Sequence, residues 1–360
     1  MHQFRNDYSE GAAPEILDAL VRTNGEQTVG YGSDPHCARA AGLIRAEIGQ
    51  GDADVRFVPG GTAANILAVS ALTEEFEGPI LAADAHPTIH ETGAIEGCGR
   101  RLLATDDPLG LLTPDAAERA WATVTANGSH STRPGMVYIS DTTELGHVWT
   151  RGEFDAICDW AHGHGLAVYV DGARIASAMT ADGADLDIRH LAERADAFTL
   201  GGTKNGMLFG EALVVSPRTE RGRRAIDRLP YLTKRAGALM AKGRLMGVMY
   251  EAAFDPANAD GCGTLPYWRY AARANAASVR LARGLTAAGF EPLLQTAGNQ
   301  QFFWVDAEQG ARLAEHLGAE LMEARDPAGA GRVLARLVTS WAATYADVDE
   351  AISFARTLAS

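Results

Sequence analysis

The amino-acid sequence predicts an α/β fold: a mostly parallel central sheet with helices on both faces, followed by a smaller α+β carboxy-terminal domain. Short apolar runs alternate with helical stretches, as expected of strands buried on both faces and joined by crossover helices. The chain has 360 residues, 46% of them hydrophobic, enough for a substantial core. Past about residue 255 the alternation gives way to a long Ala/Arg-rich helix and isolated strands. The expected division is an amino-terminal arm and helix over 1–30, a large α/β domain over 31–255 and a small domain over 256–360.

The first helix is read from GAAPEILDALVRTNG. Pro14 takes an early helical position, Ile16, Leu17, Leu20 and Val21 share a face, and Asn24-Gly25 ends it. A turn-rich YGSD segment (31–34) leads into a second helix over 38–48. Strands follow at 54–58, 79–84, 101–105, 136–140, 166–171, 197–201 and 212–216, with a helix over 62–72 after the first. Thr113-Pro114-Asp115 and the capping box Thr150/Glu153 start two further helices. In the carboxy-terminal part a helix spans 267–288, strands 301–306 and 333–339, and helices lie near 311–317 and from Asp347 onward.

Charge and cysteine usage exclude several functions. Lys+Arg number 32 and Asp+Glu 46, a formal net charge of −14, and no basic block stands out. Such a chain is unsuited to wrapping nucleic acid or lying on an anionic membrane. The four cysteines (Cys37, Cys98, Cys158, Cys262) show no CxxC spacing. Arg5, Asp7 and Glu10 interrupt any secretory apolar region, and no apolar run reaches the roughly 18 residues a membrane span needs. The expectation is a soluble, cytoplasmic protein.

Three segments at strand ends carry chemistry. Pro59-Gly60-Gly61-Thr62-Ala63-Ala64-Asn65 joins a strand to a helix; its glycines and helix-start N–H groups suit an anion, although a Thr-capped turn reads the same way. Asp171-Gly172-Ala173-Arg174 follows a strand where open α/β sheets place ligands, and it also fits an Asp-Gly turn with a surface arginine. Gly201-Gly202-Thr203-Lys204-Asn205-Gly206 fixes a lysine on a glycine-rich turn, either solvated or set against a cofactor. Together, a phosphate cradle, an acid and a lysine at the ends of different strands are the set that pyridoxal 5'-phosphate requires: an imine-forming amine, a partner for the pyridine nitrogen and a phosphate site.

With FRNDYSEGAAP, GYGSD, VPGGTAAN, AHPTIHETGAIE, YVDGAR, GGTKNG, KRAGALMAKGR and RLVTSWAAT, the chain resembles the low-specificity L-threonine aldolase family. That family lies among the fold-type-I pyridoxal-phosphate enzymes, close to the β-eliminating lyases. The resemblance implies that Lys204 forms the imine with the cofactor and Asp171 partners the pyridine nitrogen. It implies that Gly61, Thr62 and Thr203 help hold the cofactor and that His86 stacks on its ring. Arg174 and Arg336 are implied to grip the substrate α-carboxylate, Arg174 also contacting the cofactor. Tyr31 and Arg235 fall where the family reaches in from a neighbouring subunit, Arg235 toward the phosphate, which implies a homodimer or homotetramer.

Two positions depart from the better-studied branch. Asn6 stands where that branch places a serine against the substrate carboxylate. Asp141-Thr142-Thr143-Glu144 replaces a segment carrying a second histidine, so His86, directly or through water, and Glu144 are both candidate bases for the substrate hydroxyl. His86 and His90 have the spacing of a metal pair, but no third ligand offers itself and no metal is expected. The implied reaction cleaves a β-hydroxy-α-amino acid, L at Cα, to glycine and an aldehyde. A β-eliminating lyase, a transaldolase or an aminotransferase on the same fold is the alternative.

Overall fold

The computed structural model describes residues 2–106, 108–324 and 326–358. After an extended arm, α1 (Pro14–Thr23) and α2 (Pro35–Glu47) precede β1 (Asp54–Val58) and α3 (Gly61–Leu72). Then follow β2 (Glu77–Ala82), the short α4 (His86–Ile89), β3 (Leu103–Thr105), α5 (Pro114–Thr125), β4 (Arg133–Ser140) and α6 (Arg151–Gly163). Next come β5 (Ala167–Asp171), α7 (Ile175–Met179), α8 (Ile188–Arg194), β6 (Ala197–Gly201), β7 (Glu211–Val215), α9 (Glu220–Arg235) and α10 (Arg244–Phe254). The remainder is α11 (Pro266–Ala287), β8 (Glu291–Pro292), β9 (Gln300–Val305), α12 (Ala307–Leu317), β10 (Glu320–Met322), β11 (Val333–Val338) and α13 (Tyr345–Arg356).

The first seven strands form one sheet in the order β1-β7-β6-β5-β4-β2-β3. Only β7 runs against its neighbours, pairing antiparallel with both β1 and β6. Alternate residues of single strands feed opposite cores, as the period of two demands. Val137 and Ile139 of β4 and Val168 and Val170 of β5 pack into the core beneath α1, α2, α6 and α10. Met136, Tyr138, Ala167 and Tyr169 of the same strands meet α3 and α9 on the other face. Burial on both faces explains why these strands read as continuous apolar runs.

A second sheet, β10-β11-β9-β8, is antiparallel throughout. α11 belongs to both bodies: Tyr267, Tyr270 and Ala271 lie in the core of the large sheet, while Ala277, Leu281 and Leu285 lie in that of the small one. The arm ties in as well, since the Phe4 N–H donates to the Leu317 carbonyl and the Val338 N–H to the Phe4 carbonyl, each at 2.7 Å. Among the described residues no helix is long and apolar enough to cross a membrane.

Two local expectations change. Leu17 and Val21 are 42% and 76% exposed, because α1 turns inward only Ile16 and Leu20 of the expected face, together with Ala19. The strand expected at 212–216 begins at Glu211, which places that carboxylate at the same sheet edge as the ends of β1 and β6. The two capped helices start where expected: Thr113 accepts from the Ala116 N–H, and Thr150 with Glu153 forms a reciprocal capping box.

Candidate active site

The carboxyl ends of β1, β2, β4, β5 and β6 and the start of β7 open on one cleft of about 510 Å³, which Glu320 and Arg336 of the small sheet also line. Parallel strands bring their following loops to one edge, so residues far apart in sequence converge there. Of the residues expected from the sequence, Gly61, Thr62, His86, Glu144, Asp171, Arg174, Thr203, Lys204 and Arg336 line this cleft.

The loops carrying Asp171 and Lys204 are joined backbone to backbone. The Gly201 N–H donates to the Gly172 carbonyl at 3.1 Å, and the Gly172 N–H donates to the Thr199 hydroxyl at 2.8 Å. A Cβ on Gly172 would strike the Thr199 carbonyl, and one on Gly201 the Ala173 carbonyl. Both glycines are there for close approach.

Asp171 accepts from the Tyr138 hydroxyl at 2.5 Å, from Asn65 Nδ2 at 3.0 Å and from the Ala173 N–H at 3.0 Å. Burial, followed by the Asp171 charge, pushes the Tyr138 phenol well above its ordinary pKa, so it remains a donor. Asn65 also donates to Glu91 at 2.7 Å and accepts from Tyr169 at 2.9 Å. Glu91 in turn meets His86 Nδ1 at 2.7 Å. Burial disfavours the His86 imidazolium, but the Glu91 hydrogen bond and the charges of Glu144 and Asp171 outweigh it and raise the pKa. With Nδ1 committed to Glu91, Nε2 is the nitrogen left for a ligand.

Lys204 is shifted the other way. Burial and the Arg174 charge lower its pKa against the opposing pull of Asp7, Glu144 and Asp171, which favours the neutral, nucleophilic amine. Behind it, Glu211 accepts from the Gly202 N–H at 3.1 Å and from the Thr203 hydroxyl, and burial raises its pKa to about 7. The Thr203 oxygen also accepts from the Gly210 N–H at 3.0 Å. Also lining the cleft, α3 follows Gly60 as its cap residue and has no side-chain cap, leaving its first N–H groups free for an anion. Glu144 has no hydrogen-bond or ion-pair partner among the described residues.

Several expected residues do something else. Nε and Nη2 of Arg174 meet the Asp7 carboxylate at 2.7 and 3.1 Å, and Asn299 holds that carboxylate at 2.9 Å. Burial works against the Asp7 charge, yet Arg174 and Lys204 hold its pKa below the ordinary value. One edge of the Arg174 fork is therefore already taken. Asn6 does not line the cleft; its side-chain oxygen accepts from the Tyr8 N–H and the Ser9 hydroxyl at 3.0 and 2.9 Å. Tyr31 and Arg235 also lie outside the cleft of their own chain. Tyr31, half-exposed, has φ +61° and donates its N–H to the Ala241 carbonyl, while Arg235 is exposed at the end of α9. The His86 and His90 rings are 5.3 Å apart, but α4 stops at Ile89, and the described residues include no cluster of three or more His, Cys, Asp or Glu placed to hold a metal.

The sequence assigns no site role of their own to Asp7, Asn65, Glu91, Tyr138, Glu211 or Glu320, although Asn65 closes the Pro59-to-Asn65 segment and Asp7 adjoins Asn6. The signals were the place of Asn65 in that segment and the position of Glu91 five residues after His86; Tyr138, Glu211 and Glu320 carried none.

The fold and the cleft together define a fold-type-I enzyme. Residues 3–344 match the beta-eliminating lyase family. A low specificity L-threonine aldolase from Pseudomonas sp. (strain NCIMB 10558) is 32% identical over 76% of this chain and 75% of its own length. The structure of Leishmania major threonine aldolase superposes with a TM-score of 0.92 at 34% identity, over 100% of both chains. Serine palmitoyltransferase from Sphingomonas wittichii, at 16% identity and TM-score 0.68 over 99% of this chain and 86% of its own, shares the fold alone. The chain belongs to the beta-eliminating lyase family, on its threonine aldolase branch.

Proposed function

We propose that this protein is a pyridoxal-phosphate-dependent aldolase that cleaves a β-hydroxy-α-amino acid of the L-threonine or L-allo-threonine type to glycine and an aldehyde. The observation that carries this reading is Lys204 sharing one cleft with Asp171 and the uncapped start of α3. These residues fit the cofactor: the N–H groups at Gly61 and Thr62 would hold its phosphate, Asp171 would partner its pyridine nitrogen, Lys204 would form the imine with its aldehyde and His86 would lie beside its ring. The bound cofactor supplies an electron sink for the charge left at Cα when Cα–Cβ breaks.

The chain's own residues do the rest. Arg336 binds the substrate α-carboxylate, which orients the Cα–Cβ bond for cleavage. Arg174, whose Nε and Nη2 are held by Asp7, keeps its Nη1 donors for the substrate carboxylate or the cofactor. His86 Nε2, directly or through water, or the Glu144 carboxylate takes the β-hydroxyl proton. Tyr31 and Arg235 complete the cleft of a neighbouring subunit, so the working unit is at least a homodimer, with a homotetramer the usual state on this branch; the protein acts in the cytoplasm.

The test is product analysis with a panel of β-hydroxy amino acids. Glycine and the matching aldehyde are expected; pyruvate with ammonia, or a keto acid, assigns the alternative reaction. Lys204→Ala should abolish turnover and the visible absorbance of the imine. Retention of both would end the assignment.

A further inference from the structure

Arg336 on β11 and Glu320 on β10 are directly opposite each other in the antiparallel register, and Arg336 Nη2 donates to Glu320 Oε2. Both line the catalytic cleft. Arg336 Nε is buried and has no hydrogen-bond partner among the described residues. The guanidinium edge that would take a carboxylate bidentately is thus half used. The two side chains also differ in setting: Arg336 is 13% exposed and Glu320 45%. A largely covered guanidinium with a buried Nε gains from an acceptor at all times, whereas a half-exposed carboxylate loses little by turning into water.

We propose that Glu320 is an internal stand-in for the substrate α-carboxylate, holding Arg336 in position between turnovers and leaving it when the amino acid binds. This rests on the reading of Arg336 as the carboxylate grip. An incoming carboxylate that meets Nε and Nη2 together satisfies the orphaned Nε as well, which Glu320 through one oxygen on Nη2 does not. Exchange is therefore favourable, and Glu320 subtracts from the apparent affinity. Glu320 is a positioning residue: it acts through Arg336 and touches no reacting atom.

The experiment uses cofactor-loaded Glu320→Gln and Glu320→Ala enzymes, with glycine binding measured by calorimetry and KM and kcat measured with L-threonine. Removing the competing charge should tighten glycine binding and lower KM by about twofold to fivefold, the range such an ion pair is worth, with kcat changing less. Unchanged or weaker glycine binding in both variants overturns the proposal. Arg336→Lys separates the two layers. If it raises KM while the Glu320 variants lower nothing, only the stand-in role fails. If it leaves KM and glycine binding untouched, the carboxylate grip itself is misassigned, and the inference falls with it.

Discussion

Glu91 has a fully buried side chain whose Oε1 serves His86 and Asn65 together, while its other oxygen has no partner. Its hydrogen bond raises the His86 pKa, so the contact stabilises the fold below the ordinary histidine value and is lost as pH rises through the raised one. If His86 is the base, activity rises with pH as the ring deprotonates. Glu91→Gln should then move the acidic limb of the pH–kcat profile to lower pH by about one unit. A limb that stays put would transfer the role to Glu144. Asp171 and Lys204 were legible because each follows an apolar strand on a glycine turn. Tyr138 was not, since inside a strand it looks like an ordinary interior residue, and Asn65 was visible only as the end of an anion-binding turn; the folded sheet brings both to Asp171. Asp7 was hidden for a related reason: its partner Arg174 lies 167 residues away.

The elements that hold the site depend on close backbone approach more than on side-chain chemistry. β5 and β6 place Asp171 and Lys204 side by side because Gly172 and Gly201 let their loops touch. Gly172→Ala should lower stability by about 1–3 kcal/mol, since the new methyl strikes the Thr199 carbonyl and overpacks a site with no room to yield. The same substitution should weaken cofactor binding, read as a lower visible absorbance at limiting cofactor. A normal melting temperature with full cofactor affinity would contradict the welded arrangement. The apolar alternation announced every strand of the large sheet, and capping residues marked several helix starts. The reversed direction of β7 had no local signature, because a fully buried strand reads alike from either end. Glu211 went unnoticed with it. The short strands β8 and β10 escaped because they are two or three residues long and largely exposed, without the apolar run that marked the equally short β3.

At the scale of the whole molecule, the exposed stripe on α1 and a second cleft near Tyr31 set the next test. That cleft also has a volume of about 510 Å³ and includes Met240 and Pro230, and Tyr31 and Met240 are 51% and 38% exposed. If Arg235 serves the neighbouring subunit's site, Lys204→Ala and Arg235→Ala chains, each inactive alone, should complement. Mixed after dissociation and reassembled, they should recover about a quarter of the wild-type activity, because half the dimers are hybrids and each hybrid holds one intact site. Recovery no greater than the sum of the separate variants would place Arg235 outside any shared site. The backward course of β7 bears on how the lysine itself is held. Its turn leaves the sheet on β6 and re-enters on the adjacent strand at the same edge, with Gly202 and Thr203 both donating to the Gly210 carbonyl. Residue 204 therefore sits on a short clasp fastened at each end, not on a free-swinging flap, and the freedom that an amine on a loose loop would forfeit at every encounter has already been surrendered during folding.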